Sequence, residues 1–168
     1  MSITMYKASV PVCIHMLNNL IGILEKGAAY CEDKGIGESV LVHARLYPDM
    51  FPLTSQVQIA SDIARRGGAR LAGLEPEVYA DTEITFHELI DRARSAITFL
   101  EGLTPEQIDG TEDKSITFKL RGEDVTFDGL RFLLHFVLPN VYFHVTTAYD
   151  ILRHNGVELG KPDFLGKL

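Results

Sequence analysis

The chain has 168 residues, of which 46% are hydrophobic and 23% are charged, and its formal net charge is -7. This composition is typical of one soluble globular domain, here residues 1–168, that buries a full core without disulfides. The negative charge and the lack of a basic run argue against binding to nucleic acid or to an anionic membrane. The one basic pair, Arg65–Arg66, is expected on the solvated side of a helix.

Cysteine usage and the N-terminal segment indicate where the protein works. Cys13 and Cys31 fall in one predicted helix, about five turns apart, so they cannot form an intrachain disulfide. Met1–Lys7 shows no charged leader followed by an apolar run, and no stretch approaches the roughly 20 apolar residues of a membrane span. We therefore expect a soluble cytoplasmic protein with reduced cysteines, no signal peptide and no membrane partner.

The first long helix is predicted from Ser9 or Val10 to Lys34. Ser9 is a plausible N-cap, Pro11 fits the first turn, and Gly35 ends the helix. Apolar residues form two displaced stripes, made of Ile14, Leu17, Ile21, Leu24 and Ala28 and of Val12, Met16, Leu20 and Ile23. Such a wide apolar surface predicts contacts on two sides, one of them with a second subunit of a homodimer.

A short helix is predicted over 38–46, followed by a turn with two prolines and a second long helix. Pro52 fits the first position of that helix, which is expected to run to about Leu71. Its inner stripe is Leu53, Val57, Ala60, Ala64, Gly67 and Leu71. The small residues in the stripe and Gly68 beside it would let a neighbouring helix approach closely.

A polar linker, 75–85, leads to a third long helix predicted from Phe86 to Gly102. Thr85 with Glu88 is the capping-box pattern that marks its start. A second such box at 104–107 predicts a single helical turn.

Alternating residues at 115–120 and 124–127 predict a β-hairpin around the turn 121–123, the only strand signal in the chain. Asp128 can cap the final helix, which is expected to start near Gly129 and to kink or break just before Pro139–Gly156, because Pro139 removes a backbone hydrogen bond. Four long helices with a hairpin inserted before the last one predict an all-α four-helix bundle.

Four segments carry a family resemblance: 44–53, 56–62, 143–157 and 159–166. They resemble an uncharacterised, domain-of-unknown-function family of bacterial proteins within the DinB/YfiT-like superfamily. The resemblance implies a DinB-like four-helix bundle that is commonly dimeric. It also implies a place in a superfamily that includes predicted metalloenzymes, some of them thiol-dependent transferases or isomerases.

The superfamily metal site uses one histidine of the second long helix and two of the last, spaced His-x-x-x-His. By this resemblance His144 occupies the second position of the pair, but Asn140 stands at the first and Gln56 or Gln58 on the second helix. One imidazole with two carboxamide oxygens binds zinc or nickel weakly. We therefore expect no tightly bound metal and no other cofactor. If a divalent metal such as zinc or nickel binds, His144 holds it.

Two functions remain open, and whether the chain is an enzyme is left undecided. The first is a dimeric bundle with a polar pocket for an unknown small ligand, built from His144, Asn140, Gln56, Gln58 and Tyr149. There His144, with Tyr142 or Tyr149 nearby, could act as a general acid or base, or the group could simply fix helix register. The alternative is a metal-dependent enzyme of the thiol transferase or isomerase type that uses His144.

Overall fold

The computed structural model describes residues 3–167. Met1, Ser2 and Leu168, which the predicted domain includes, lie outside that range. The described chain is a four-helix bundle with a hairpin before its last long helix, as predicted. Its long helices are α1 (Met5–Lys34), α3 (Leu53–Ala72), α4 (Phe86–Glu101) and α7 (Leu138–His154). Its short elements are α2 (Glu38–Val42), α5 (Pro105–Ile108), β1 (Ser115–Leu120), β2 (Glu123–Asp128), α6 (Gly129–Arg131) and α8 (Lys161–Leu165).

The core lies between the four long helices, where α1 and α3 each pack against both α4 and α7. Both apolar stripes of α1 are mostly buried within the chain, because α8 also packs on this helix. By length and composition α1 could cross a membrane, with a mean hydropathy of 1.3 over 18 residues, contrary to the expectation from the sequence. Half of that window is buried, as in the central helix of a soluble bundle. The width of α1 therefore serves contacts inside one chain.

The start of α1 differs from the prediction. Thr4 caps the helix by accepting the amide hydrogen of Lys7, and Asp109 Oδ1 accepts the amide hydrogen of Tyr6 at 2.8 Å. The predicted start at Ser9 is wrong, because this residue is buried inside the helix and its Oγ donates to the Met5 carbonyl. Pro11 accordingly lies within the helix and not in its first turn.

The remaining helix ends follow the local signals. Gly35 ends α1 and Gly73 ends α3, both in the left-handed conformation, with φ of 63° and 77°. Pro52 caps α3 from just outside it, and the short helix α2 ends at Val42, earlier than predicted. The predicted capping boxes at the starts of α4 and α5 are both present.

Two glycines of α3 set how closely its neighbours approach. A Cβ on Gly67 would lie 2.8 Å from Val137 Cγ1, and one on Gly68 would lie 2.8 Å from methyl groups of Leu100 and Leu103. Real Cβ atoms do not tolerate such distances, so the helices pack at a spacing that only these glycines allow. The predicted role of the small residues is confirmed.

The hairpin packs on the start of the last helix through four phenylalanines. Arg121 and Gly122 form its two-residue turn, with φ of 53° and 90°, as a type I′ turn requires. The ring centroids of Phe118, Phe127, Phe132 and Phe136 lie 5.0–6.3 Å apart. The predicted break before Pro139 is a π-helical segment, Phe132–Val137, which leads directly into α7.

Candidate functional site

The centre of the candidate site is a hydrogen bond between α7 and α3. His144 lies on the buried face of α7, where 8% of its surface is exposed, and its Nδ1 is 2.7 Å from Gln56 Oε1. Gln56 is itself fixed, because its Nε2 donates to the carbonyl of Phe51 at 3.1 Å. The start of α3 and the turn before it thereby position the histidine of α7.

These contacts determine which ring nitrogen of His144 carries the proton. The carbonyl of Phe51 can only accept, so the amide nitrogen of Gln56 must face it and the amide oxygen must face His144. Nδ1 of His144 therefore carries the proton. Burial lowers the pKa of His144, which favours the neutral ring. Nε2 is left with a lone pair and with no hydrogen-bond donor among residues 3–167.

The other residues predicted for the site make no hydrogen bond to this pair among residues 3–167. The amide of Gln58 donates to Glu83 Oε2 at 2.8 Å, and the amide of Asn140 donates to the carbonyl of Phe136 at 2.6 Å. Tyr149 is half-buried against the core and makes no hydrogen bond with the described residues. Of the five predicted residues, the structure brings together Gln56 and His144.

Aromatic side chains border this pair. The ring of Phe143 meets the imidazole edge-on, with centroids 5.2 Å apart and an interplanar angle of 88°. Phe143 and Phe51 are each 60% exposed. Tyr142, a predicted acid or base partner, is also partly exposed, and burial followed by the neighbouring Cys13 raises the pKa of its phenol. An apolar surface thus adjoins the only polar pair of the site.

A second polar cluster was not predicted from the sequence. It consists of Arg65 and Arg92 with the carboxylates of Asp62, Asp81 and Glu83, and we call it the arginine clasp. Arg92 of α4 is 5% exposed, and its Nη1 lies 2.8 Å from Glu83 Oε1 and 2.8 Å from the Ala80 carbonyl. Its Nη2 lies 3.0 Å from Asp62 Oδ1 and 2.9 Å from Asp81 Oδ1. Asp62 therefore forms an interhelical ion pair with Arg92. Asp150 and Arg153 of α7, by contrast, form no ion pair among residues 3–167.

Arg65 is the other half of the clasp. It is 1% exposed, its Nη2 donates to the Glu77 carbonyl at 2.7 Å, and its guanidinium lies 3.8 Å from the centroid of the Tyr79 ring. The prediction that Arg65–Arg66 is solvated is wrong for Arg65, because the linker after α3 folds back over this face of the helix. For Arg92, the sequence did contain a signal of burial, because this residue lies on the same face of α4 as the buried Leu89 and Ala96.

The clasp sets the ionisation of its central carboxylate. Burial alone would raise the pKa of Glu83, but hydrogen bonds from Arg92 and Gln58 outweigh burial and hold that pKa below its usual range. Both guanidinium Nε atoms, of Arg65 and Arg92, are buried without a partner among the described residues. The clasp therefore connects α3, α4 and the linker through charged groups whose two arginines are shielded from solvent.

Comparison with known proteins decides the family. Residues 5–165 match the model of a family described as "Domain of unknown function (DUF1993)". The chain belongs to the DUF1993 family. A crystal structure of a DinB family member from Shewanella denitrificans is 40% identical, with a TM-score of 0.86, over 97% of this chain and 92% of that one. No curated protein is significantly similar to the chain. The predicted membership of an uncharacterised DinB-like family is confirmed.

The donor set of this DUF1993 member does not fit the metal site that the superfamily resemblance implies. Residues 3–167 contain no group of three His, Cys, Asp or Glu side chains placed to hold an ion. Gln56 Oε1 already accepts the His144 proton, whereas the amide nitrogen of Asn140 donates to a carbonyl and leaves its oxygen available. His144 Nε2 and this weak amide oxygen are then at most two ligands, while stable sites use three or four.

The two cysteines of the DUF1993 chain are not placed as nucleophiles. Cys13 and Cys31 are free, and each is 2% exposed. Burial raises the pKa of the Cys13 thiol to about 12, and burial together with the charge of Glu38 raises the pKa of Cys31. Because the thiolate is the reactive form, these surroundings disfavour both side chains as nucleophiles near neutral pH.

Proposed function

We propose that this DUF1993 protein is a homodimeric, cytoplasmic bundle that binds a small ligand at the Gln56–His144 pair and holds no tightly bound metal. One observation carries the proposal. The 2.7 Å hydrogen bond to Gln56 Oε1 uses the Nδ1 proton of His144 and leaves Nε2 as an acceptor on a neutral ring.

The chemistry of the pair limits the ligand. Nε2 accepts one hydrogen bond, so the ligand must carry an N–H or O–H donor. Phe143 supplies apolar surface beside the imidazole, which suits a ligand with an apolar body. If the ligand is also a substrate, His144 takes a proton from it, and Gln56 holds the imidazole in the required tautomer.

The homodimer is supported by exposed apolar side chains and by the family resemblance. Phe51 contacts Gln56 through its backbone carbonyl, and Phe143 contacts His144 through its ring. Each of these phenylalanines exposes 60% of its surface. A partner subunit on this surface would cover both rings and turn the open side of Nε2 into an enclosed pocket.

The test for metal uses protein without a histidine tag, incubated with excess zinc or nickel and then dialysed. We expect well under one equivalent of metal per chain to remain bound, both in the wild type and in His144→Ala. Retention of about one equivalent that is lost in His144→Ala would contradict the proposal. That result would favour the alternative, a metal-dependent enzyme of the thiol transferase or isomerase type.

The test for the dimer is sedimentation equilibrium. We expect the wild type to have twice the mass of one chain, and Phe143→Ser to weaken the association. Val78→Ser is the matched control, since Val78 is 81% exposed and lies on the linker. A monomeric wild type at tens of micromolar would contradict the dimer.

A further inference from the structure

A polar groove lies on a different part of the bundle, with a volume of about 340 Å³. The last turn of α3 forms one wall, the start of the linker (74–76) forms a second, and the outer edge of β1 forms a third. Neither Gln56 nor His144 contributes to it, and the proposed ligand site does not explain it.

Arg70 is the unusual residue of this groove. Its guanidinium lies 4.7 Å from the centroid of the Phe118 ring and is half-buried. Burial, followed by the nearby charge of Arg66, lowers the pKa of Arg70, and Glu75 offsets this only in part. Among residues 3–167 Arg70 has neither an ion-pair partner nor a hydrogen-bond acceptor. The guanidinium nitrogens of Arg70 are therefore free to bind a ligand in the groove that this residue lines.

The surroundings of Arg70 favour an anion. Lys114 also lines the groove, and its Nζ donates to the carbonyl of Leu71 at 2.9 Å, which neutralises the carbonyl end of α3. Lys119 adds a third cation at the rim, where it lies 3.4 Å from Asp124. Glu75 is the only carboxylate in the lining. In a chain of net charge -7, this groove is locally positive.

The edge of β1 adds unpaired backbone donors. The two-residue turn pairs Leu120 with Glu123, and hydrogen-bonded pairs alternate along an antiparallel ladder. Phe118 therefore bonds to β2, while the amides of Thr117 and Lys119 point away from it, toward the groove. Backbone amides beside a guanidinium form a familiar cradle for oxygen anions.

We propose that this groove binds a small molecule that bears an oxyanion, a carboxylate or a phosphate, with Arg70 as its principal contact. The guanidinium lies over the Phe118 ring, and a guanidinium can donate to both oxygens of an anion at once. The 340 Å³ volume suits a metabolite-sized ligand. The proposal is independent of the Gln56–His144 site.

The binding test titrates the ¹⁵N-labelled protein with inorganic phosphate and, separately, with succinate, at constant ionic strength set by sodium chloride. We expect saturable shifts of the Thr117 and Lys119 amides with at least one probe, and the tighter probe identifies the chemistry. Arg70→Gln should weaken binding by about tenfold or more, the value of one good charge-assisted contact. Arg153→Gln is the matched control, because Arg153 is an exposed arginine in the last turn of α7.

Thermal unfolding separates a binding role from a structural one. Without added anion, Arg70→Gln should melt within a few degrees of Arg153→Gln, because Arg70 makes no ion pair or hydrogen bond among residues 3–167 and loses only its contact with Phe118. The tighter probe should raise the melting temperature of wild type and Arg153→Gln but not that of Arg70→Gln. The proposal is overturned if neither probe saturates, if Arg70→Gln binds normally, or if Arg70→Gln melts well below the control.

Discussion

The guanidinium of Arg92 and the carboxylate of Glu83 meet at 2.8 Å, with 3% and 12% of their side chains exposed. This pair joins α4 to the linker that follows α3, and Asp62 of α3 completes the contact at 3.0 Å. Each charge has lost most of its water, so each depends on the others. The linker is therefore a packed part of the bundle, although its backbone is extended.

Removing the Arg92 cation should destabilise the folded protein. We predict that Arg92→Leu lowers the free energy of unfolding by about 3 kcal/mol or more, because the largely buried Glu83 carboxylate loses its cation and the Asp62 carboxylate loses its closest one. Arg94→Leu on the same helix is the control, since Arg94 is 55% exposed and exposed ion pairs contribute about 0–1 kcal/mol. Urea denaturation measures both. Equal losses for the two variants would show that the clasp does not hold the linker.

The contact between Gly67 and Val137 predicts the effect of one added methyl group. Gly67→Ala should destabilise the protein by about 1–3 kcal/mol, because its Cβ would meet a β-branched side chain at 2.8 Å and 2.9 Å. Gly22→Ala is the matched control, since no atom lies within 4 Å of the position that a Cβ would take there, and the better helix propensity of alanine should stabilise by up to about 1 kcal/mol. Stabilisation by both substitutions would contradict the tight packing.

The lowered pKa of His144 predicts a pH dependence. The unfolded chain protonates this histidine near its usual pKa of about 6.5, but burial holds the folded ring neutral to lower pH. The unfolded state therefore binds more protons in this window, and the His144 contribution to stability declines as the pH falls below about 6.5.

Urea unfolding of wild type and His144→Gln at pH 7.5, 6.5 and 5.5 measures that contribution. The stability difference between the two proteins should be largest at pH 7.5 and smallest at pH 5.5. A difference that grows toward low pH would mean that the folded protein prefers the charged ring.

Local signals in the sequence were enough for most helix ends. The box of Thr85 and Glu88 uses atoms three residues apart, so the sequence contains all of it. The start of α1 has a local cap at Thr4, which was missed, and a second contact from Asp109, which is distant in the chain and accepts the Tyr6 amide hydrogen. No local pattern contains that contact, and Pro11 misleadingly resembled a first-turn proline.

The sites show the same division between local and distant contacts. His144 stood out as a polar residue on a buried helix face, and its partner Gln56 was among the two candidates on α3. The role of Gln58 could not be read locally, because Glu83 reaches it only when the linker folds back. The burial of Arg65 has the same cause, since Tyr79 and the Glu77 carbonyl cover it from that linker.

The central claim is that Gln56 fixes His144 as the neutral Nδ1–H tautomer with a free Nε2. Long-range ¹H–¹⁵N correlation spectra of the labelled protein at pH 7.5 measure this directly. We predict a protonated Nδ1 and an unprotonated Nε2 for His144, and loss of that preference in Gln56→Leu. A proton on Nε2, or the same tautomer in Gln56→Leu, would contradict the account.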